Sequence, residues 1–464
     1  MTNALPRHIA VIDIGKTNAK VVLVDAASES QLGVRSRPNS VLNDAPYPHA
    51  DVEGLWTFIL DSLGELHREH GVDGISITTH GATAALMAGD QLALPVLDYE
   101  YDGPQASDEA YDRARPAFAE TLSPRLPNGL NLGAQIFWQS RAFPEDFSRV
   151  TSILTYPQYW AWRLTGLLAS EVTSLGCHSD LWAPEQSDFS SMVDAQGWRA
   201  LFPAIRPAAS VLGPILPRLA GLTGLAADTP VTCGIHDSNA SLVPHLGRDE
   251  APFTILSTGT WAIAMTVGGD TTNLDQSRDS LANVDAFGRP VPTARFMGGR
   301  EFDTLVQTIV TPSEVDIAAV IERDVQALPT FAPGVGPFAA GRGRWTVAAE
   351  GLTDGERTAA ASLYLALVAR ECLDLCGLGR SITIEGPLAR NALFGAALAT
   401  LADRPVHASG DGTGTSLGAS LLFGGQPAHE QHDRPIAPLA HPGFADYARR
   451  WYERAKASSF VPMN

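Results

Sequence analysis

The sequence predicts an α/β protein built from two similar domains, and three observations support this. A chain of 464 residues is too long for one ordinary hydrophobic core. Strand-like and helix-like apolar patterns alternate along it. A strand, a tight polar turn and a second strand occur near the N-terminus and again from residue 253. We therefore expect two related halves, each opening with its own hairpin.

The composition is typical of a globular enzyme, with 45% hydrophobic and 18% charged residues. The net charge of −18 argues against a nucleic-acid partner, because clustered Lys and Arg hold phosphate backbones. The N-terminal residues lack the apolar segment of a signal peptide, and the longest apolar stretch, 359–369, is too short to span a bilayer. Four scattered cysteines, with Cys372 and Cys376 one helical turn apart, favour core packing in a reduced protein. We expect a cytoplasmic protein without a membrane partner.

The first half begins with an apolar run that stops at a Gly-Lys-Thr-Asn turn and then resumes, which predicts a hairpin over 8–25. Helical spacing follows over 55–71, then a strand over 74–79 that runs into a small-residue turn. Residues 98–150 are polar and predict loops. An aromatic helix is expected over 156–164, with Trp160 and Trp162 in packing roles.

The second half repeats the opening pattern over 253–265, after a strand at 231–234 that leads into His236-Asp237. Further elements are predicted by their apolar periodicity: helices over 357–376 and 391–402, a strand over 381–385, a small-residue helix from Thr415 and an amphipathic end over 444–455.

Both tight turns combine glycine with hydroxyl residues. Gly15-Lys16-Thr17-Asn18 forms the first, and Ser257-Thr258-Gly259-Thr260 the second. Such turns expose backbone N–H groups and can bind phosphate oxygens. A plain hairpin explains each turn taken alone. One turn in each half favours two similar domains that face a nucleotide across a cleft.

Asp237 follows a buried strand and precedes small residues that leave room for a ligand. A carboxylate in that position can act as a general base and take a proton from a hydroxyl. The alternative is an aspartate that caps the following helix.

The order of these motifs resembles the FGGY carbohydrate kinases, a branch of the sugar kinase, Hsp70 and actin superfamily. The resemblance spans residues 8–425 and rests on Asp-x-Gly-x-Thr at 13–17, Arg163-Leu164-Thr165-Gly166, Gly-x-x-Asp at 234–237 and Leu-Ser-Thr-Gly-Thr at 256–260. It implies two actin-like, ribonuclease H-like ATPase domains that flank a central cleft, each with a mixed five-stranded sheet. The implied boundaries are 1–247 and 252–428, with a tail over 429–464.

The resemblance also implies ATP and Mg²⁺ as cofactors, and a role for each matching residue. Asp237 would be the catalytic base and Asp13 the metal-organising carboxylate. The nucleotide would contact the two phosphate turns and the adenosine-side element: Gly15, Lys16, Thr17, Asn18, Gly259, Thr260, Gly386 and Asn391. The sugar would contact Thr79, His80, Gly81, Asp102 and His236.

Three departures from the family pattern bear on these roles. The turn at His80 lacks the Gln or Trp that marks well-known substrate classes, which leaves the sugar open. Lys16 stands where Thr or Ser is commoner, and its ammonium either neutralises phosphate or is solvated. Glu385-Gly386-Pro387 replaces a glycine triplet beside the adenosine, which leaves nucleotide preference open.

Within the family, Gly-x-His-Asp and Tyr99-Glu100-Tyr101-Asp102 are most similar to rhamnulokinases and fuculokinases. The implied reaction is in-line phosphorylation of a primary hydroxyl of a ketose: L-rhamnulose, L-fuculose or a pentulose. The alternatives are a kinase for another polyol and a non-catalytic sugar or nucleotide sensor on the same scaffold. The oligomeric state stays open, with a homodimer as one option.

Other classes fail on their motifs. The chain has no Gly-x4-Gly-Lys-Ser/Thr loop. The stretch 412–418 imitates a dinucleotide fingerprint, but too little αβ pattern follows it. The histidines His429, His432 and His441 lack the spacing of a metal site.

Overall fold

The computed structural model describes residues 5–247, 250–409, 414–424 and 433–459. The described residues form two compact units: the first within Met1–Asp249, Ala282–Pro290 and Thr413–His429, the second within Glu250–Leu281, Val291–Gly412 and Glu430–Asn464. Part of the predicted boundary, residues 248 and 249, lies outside the described residues, as do His429, His432 and residues 412 and 413. Residues 414–424, which the sequence assigns to the C-terminal domain, group with the first unit, where Ser76 Oγ donates to the Ala419 carbonyl at 2.7 Å.

The first half of the chain contains strands from β1 to β14. They are β1 His8–Ile14, β2 Asn18–Asp25, β3 Ser30–Pro38, β4 Val41–Leu42, β5 His49–Ala50, β6 Gly74–Thr79, β7 Ala84–Ala88, β8 Gln91–Leu92, β9 Ser152–Thr155, β10 Trp182–Ala183, β11 Asp188–Phe189, β12 Val211–Pro214, β13 Pro230–Thr232 and β14 Ile235–His236. The main sheet runs β12-β13-β6-β1-β2-β3, with β14 paired to β6. The β1 strand is antiparallel to β2 and parallel to β6.

The second half repeats this arrangement with β15 Phe253–Thr258, β16 Ala262–Val267, β17 Ser280–Val284, β18 Pro290–Phe296, β19 Ala327–Leu328, β20 Arg344–Trp345, β21 Ile382–Glu385, β22 Val406–Ala408 and β23 Arg434–Pro435. Its main sheet runs β17-β18-β16-β15-β21-β22-β23. The β15 strand is antiparallel to β16 and parallel to β21, as β1 is to β2 and β6. Each sheet has seven strands instead of the predicted five.

Helices cover these sheets. In the first unit they are Val52–His70, Asp108–Ala114, Phe118–Thr121, Leu132–Ala142, Pro144–Phe147, Tyr156–Thr165, Val172–Leu175, Ser191–Ala195, Pro217–Thr223, Asp237–Ala240, Val243–Leu246 and Thr415–Ser420. In the second they are Gly298–Leu305, Glu314–Glu322, Asp354–Cys376, Ala392–Ala402 and Phe444–Ser459. Short 3₁₀ segments lie at Gly103–Ser107, Arg199–Leu201, Gln276–Arg278, Ala349–Gly351, Pro387–Arg390 and Leu421–Phe423.

The predicted α/β class and both opening hairpins are confirmed, because β1-β2 and β15-β16 pair through tight turns. The long helix begins three residues earlier than expected, at Asp354, where Thr353 and Glu356 form a reciprocal capping box. Cys372 and Cys376 lie on this helix and are buried, as predicted. Trp160 is wholly buried in the hydrophobic core of the first unit.

The prediction of loops over 98–150 is wrong for Leu132–Ala142, an eleven-residue helix. Eight of its residues are buried, including Gln135 and Gln139. A helix buried on most sides shows no apolar stripe, so the 3.6-residue period was absent from the sequence.

Among the described residues, no helix combines the length and the apolar character needed to cross a membrane.

Candidate active site

The first phosphate turn lies between β1 and β2. The Gly15 N–H donates to the Asn18 carbonyl at 2.9 Å and closes the turn, while Thr17 and Asn18 are exposed. Asn39, just after β3, braces the turn from outside: its side-chain amide donates to the Gly15 carbonyl at 2.8 Å and its backbone N–H to the Thr17 carbonyl at 2.9 Å. The turn therefore has a fixed shape with its tip open to solvent.

Asp13 is the penultimate residue of β1, partly buried and opposite Lys20 on β2. Ser416, on the helix Thr415–Ser420, donates its hydroxyl to Asp13 Oδ2 at 3.4 Å. Burial, followed by the negative charge of Asp237, raises the pKa of Asp13 to about 6, against the opposing charge of Lys20. Two carboxylates, Asp13 and Asp237, thus lie close enough to repel each other.

Asp237 follows β14 and is the first residue of the short helix Asp237–Ala240, with His236 in the capping position. The capping alternative therefore does not describe Asp237. Its side chain is 31% exposed, and burial raises its pKa while the positive charge of a protonated His80 lowers it. Gln158, on the aromatic helix, supports the preceding turn by donating to the carbonyls of Cys233 at 3.0 Å and Gly234 at 3.2 Å.

The side chain of Lys16 is paired within the protein and is not free in solvent. Its ammonium forms ion pairs with Asp98 and, at 3.4 Å, with Glu100, and lies 4.9 Å from the centre of the Tyr99 ring. The Tyr99 ring in turn contacts His80 edge-on at 5.4 Å. Lys16 therefore connects the first phosphate turn to the polar stretch that the sequence associates with sugar binding.

Most of the predicted sugar residues lie in this part of the first unit. Thr79 is buried at the end of β6, and His80 is placed by its N–H, which donates to the Ile14 carbonyl at 2.9 Å. Burial lowers the pKa of His80, so its ring is neutral near pH 7. Gly81 packs against the His236 ring. Asp102 differs from the other predicted residues: its side chain is exposed at the start of the 3₁₀ segment Gly103–Ser107.

The second phosphate turn lies between β15 and β16 in the second unit. The Gly259 N–H donates to the Trp261 carbonyl at 2.8 Å, and both Gly259 and Thr260 are exposed. These two residues also line a cavity of about 980 Å³, whose other lining residues are Gly299, Arg300, Phe302, Asp303, Ile309, Val310, Thr311, Pro312, Ile317, Thr358, Pro387, Leu388, Arg390, Asn391, Ala392, Leu393, Ala396 and Leu439. A largely apolar cavity with a phosphate-type turn at its edge fits a nucleoside triphosphate.

The segment that the sequence predicts beside the adenosine adjoins this cavity. Gly386 has φ 78° and ψ −159°, a conformation open essentially to glycine alone. Pro387 and Asn391 line the cavity, and the Asn391 side chain accepts from the Phe394 N–H at 3.0 Å and donates to the Ser362 hydroxyl at 2.9 Å. Glu385 is buried at the end of β21. Of the residues that stand in place of the glycine triplet, Pro387 thus lies along the cavity wall, whereas Glu385 does not line the cavity.

Sequence reasoning missed several residues that the fold brings to these sites. Asn39 and Asp98 carry no local motif, and each reaches its partner across many residues of chain. Ser416 lies in a predicted small-residue helix, but its contact with Asp13 was not predicted. Gly298-Gly299, at the start of a helix that lines the cavity, was the one available signal, since paired glycines often mark close backbone approach.

The described part of the chain contains no cluster of three or more His, Cys, Asp or Glu side chains arranged to hold a metal ion. Mg²⁺ is commonly bound through one or two carboxylates together with water and substrate phosphates. A carboxylate pair in which burial and mutual repulsion raise the Asp13 pKa fits such a cation, because a positive charge there would relieve the repulsion.

Comparison with known proteins gives a consistent result. The family model for the FGGY family of carbohydrate kinases, N-terminal domain, matches residues 8–244, and the model for the carbohydrate kinase FGGY, C-terminal domain, matches residues 250–433. An L-fuculokinase of Salmonella typhi is 26% identical over 435 residues, which cover 89% of this chain and 91% of that protein. A rhamnulokinase of Pectobacterium carotovorum is 25% identical over 345 residues, 71% of this chain and 67% of that protein. The crystal structure of a carbohydrate kinase from Novosphingobium aromaticivorans is 39% identical, with a TM-score of 0.89 over 96% of this chain and 100% of that chain.

Proposed function

The chain belongs to the FGGY family of carbohydrate kinases, and from this premise we propose that it transfers the γ-phosphoryl group of ATP to a primary hydroxyl of an uncharged ketose. Asp237 serves as the general base in this proposal, and Asp13 organises Mg²⁺. L-Rhamnulose, L-fuculose and the pentuloses are the candidate substrates.

The observation that carries the proposal is the position of Asp237 together with its raised pKa. Its carboxylate is held at the end of a buried strand, yet 31% of the side chain stays exposed to a ligand. Burial raises its pKa, which makes the carboxylate a better proton acceptor than a free aspartate. It can therefore take the proton of the attacking sugar hydroxyl as the new O–P bond forms and the bond to the β-phosphate oxygen breaks.

Mg²⁺ would be held by Asp13, and when bound it supplies positive charge to the phosphate oxygens. The chain's own contribution is to keep Asp13 in place: the carboxylate lies in the β1-β2 ladder opposite Lys20 and receives the Ser416 hydroxyl.

The second unit supports nucleotide binding. Gly259 and Thr260 offer a polar turn for phosphate oxygens, and Pro387 and Leu388 give an apolar wall for the base. The volume of about 980 Å³ accommodates a nucleoside triphosphate with its water.

The charges around His80 favour a neutral acceptor. The ammonium of Lys16 is already paired with Asp98 and Glu100, and lowered pKa values keep His80 and His236 uncharged near pH 7. Among the residues that the structure describes around His80, these charges leave no unpaired positive side chain to balance an acidic sugar. The 26% identity to a protein named L-fuculokinase over 89% of the chain supports a deoxyketohexose.

The test is Asp237→Asn, assayed by coupled ADP release over a panel of ketoses with glycerol included. Turnover on the preferred sugar should fall by roughly 10² to 10⁴, the usual value of a positioned general base. Stabilisation by sugar and by MgATP should persist in thermal melting, because the substitution keeps the shape of the side chain. The matched control is Asp228→Asn, an exposed carboxyl of the first unit.

Near-normal turnover of Asp237→Asn would remove the base assignment. Glycerol turning over faster than every ketose would remove the substrate assignment, because a pocket built for several hydroxyls leaves its polar groups unpaired around three carbons.

A further inference from the structure

The cavity of the second unit is lined mainly by apolar residues, with three charged side chains among them: Arg300, Asp303 and Arg390. A nucleoside triphosphate would bring several negative charges into this cavity. Of the lining side chains, only Arg300 and Arg390 are positively charged. One of these two arginines is therefore the natural partner for a phosphate group.

The guanidinium of Arg300 is not engaged within the protein. Its side chain is exposed, and within the residues that the structure describes it forms no ion pair and no hydrogen bond, even with Asp303 on the same helix. Other arginines of this unit are bound to carboxylates: Arg295 Nε donates to Asp279 at 2.9 Å, and Arg278 Nη2 donates to Glu371 at 2.6 Å. The donors of Arg300 are thus available to a ligand.

The helix Gly298–Leu305, which carries Arg300, begins against the second phosphate turn. A Cβ placed on Gly299 would lie 2.3 Å from the Gly259 carbonyl oxygen and 3.3 Å from the Thr260 Cα. Only glycine permits so close an approach of two backbones. Arg300 is the next residue along the chain, so its backbone adjoins the turn whose N–H groups are predicted to bind phosphate.

A buried carboxyl fixes the orientation of this helix. Glu301 is buried and accepts from the Phe331 N–H at 3.0 Å, from the Thr330 hydroxyl at 3.3 Å and from the Tyr364 hydroxyl. These contacts hold one side of the first helical turn in the core. The adjacent side, which carries Arg300, is thereby kept along the cavity.

The other candidate cations are less suited to this role. Lys16, on the first phosphate turn, is already paired with two carboxylates. Arg390 ends the 3₁₀ segment Pro387–Arg390, which the sequence associates with the adenosine side. Arg300 is therefore the cation that the second unit places beside its own phosphate turn.

We propose that Arg300 is a nucleotide-binding residue whose guanidinium donates to phosphate oxygens of the nucleotide at the turn Gly259-Thr260. The inference rests on the proposed function, in which this cavity binds ATP. A guanidinium presents its N–H donors as a planar fork that matches two phosphate oxygens, so the contact is both charged and directional. Adenosine has no phosphate, and its binding does not use Arg300.

Titration calorimetry of the full-length chain with MgADP and with adenosine tests this contact. Arg300→Met removes the charge and keeps an unbranched side chain. The affinity for MgADP should fall by roughly 10- to 100-fold, the usual effect of losing a hydrogen bond to a charged group, while the affinity for adenosine stays unchanged. Equal losses for both ligands, or no loss for MgADP, would overturn the proposal.

The matched control is Arg342→Met, which alters an exposed arginine of the same unit that does not line the cavity. This variant should bind both ligands as the wild type does. If Arg390→Met loses affinity for MgADP alone and Arg300→Met does not, the phosphate contact belongs to Arg390 and the proposal is wrong.

Two further comparisons measure the contribution of charge. Arg300→Lys keeps a positive charge and should bind MgADP more tightly than Arg300→Met; equal affinities would contradict the proposal. Salt screens exposed charges, so added NaCl should weaken MgADP binding more in the wild type than in Arg300→Met. The same salt dependence in both proteins would also contradict it.

Failure of the proposed function gives a different result. If the wild type binds MgADP but phosphorylates no ketose of the panel, the kinase reaction is wrong, and the comparison of MgADP with adenosine still decides the role of Arg300. If the wild type binds neither ligand, both proposals are overturned.

Discussion

Glu171 should make the stability of this protein depend on pH, and Glu171→Gln should remove that dependence. Glu171 is wholly buried and accepts from the N–H of Thr173 at 3.0 Å. Burial outweighs these hydrogen bonds and raises the pKa of Glu171 from 4.5 to about 7. The folded protein therefore holds a proton on Glu171 over a pH range in which the unfolded chain has lost it.

The sign and size of the effect follow from this difference. Between pH 4.5 and about 7 the folded state binds more protons than the unfolded state, so the free energy of unfolding falls as the pH rises and levels off above pH 7. One pKa unit corresponds to about 1.4 kcal/mol. The loss attributable to Glu171 between pH 5 and pH 8 is therefore roughly 2 to 3 kcal/mol.

Urea unfolding followed by tryptophan fluorescence at pH 5, 6, 7 and 8 measures this loss. The free energy of unfolding of the wild type should fall relative to that of Glu171→Gln as the pH rises. Glu109→Gln, which alters a side chain that is 90% exposed, should follow the wild type at every pH. Parallel curves for the wild type and Glu171→Gln across this range would refute the reasoning, because Glu171 would then ionise alike in both states.

Three further substitutions test the two units separately. Gly386→Ala places a Cβ 2.0 Å from the Thr258 carbonyl oxygen in a backbone region restricted to glycine. The free energy of unfolding should fall by roughly 1 to 3 kcal/mol, and the KM for ATP should be higher than that of the wild type. Unaltered stability would contradict the strain argument. Asp13→Asn should weaken the activation by Mg²⁺ in a metal titration while sugar still raises the melting temperature; loss of the sugar effect instead would mean that Asp13 binds sugar. Lys16→Met leaves Asp98 without its ammonium partner, so the sugar KM should rise roughly tenfold, as an unpaired charged group costs about 1 to 3 kcal/mol; a change confined to the ATP parameters would favour phosphate binding by Lys16.

The opening hairpins show what local sequence can predict. The strands that precede Gly15 and Gly259 are apolar runs that stop at glycine and hydroxyl residues, and the pairing Ile14 with Ala19 and Thr258 with Ala262 follows from the turn length. The position of Asp237 directly after a strand was equally local. The roles of these residues remain predictions.

The helix Leu132–Ala142 and the Lys16 ion pair show where such prediction stops. The helix has no stripe because neighbouring segments cover most of its surface. Lys16 and Asp98 are 82 residues apart, and no pattern around either residue indicates the other. The sequence therefore offered two interpretations of Lys16, phosphate neutralisation and solvation, and did not indicate its ion pair with Asp98.

The sequence by itself determined the α/β class, the duplicated hairpins and the residue types at the strand ends, because each depends on a few neighbouring residues and their steric preferences. Only the tertiary structure decided which side chains meet: Ser416 reaches Asp13 across 403 residues, and Asn239 reaches Thr173 across 66. The physical reason is that a hydrogen bond a few ångströms long is specified by the packing of whole segments, whose relative positions no short stretch of sequence contains.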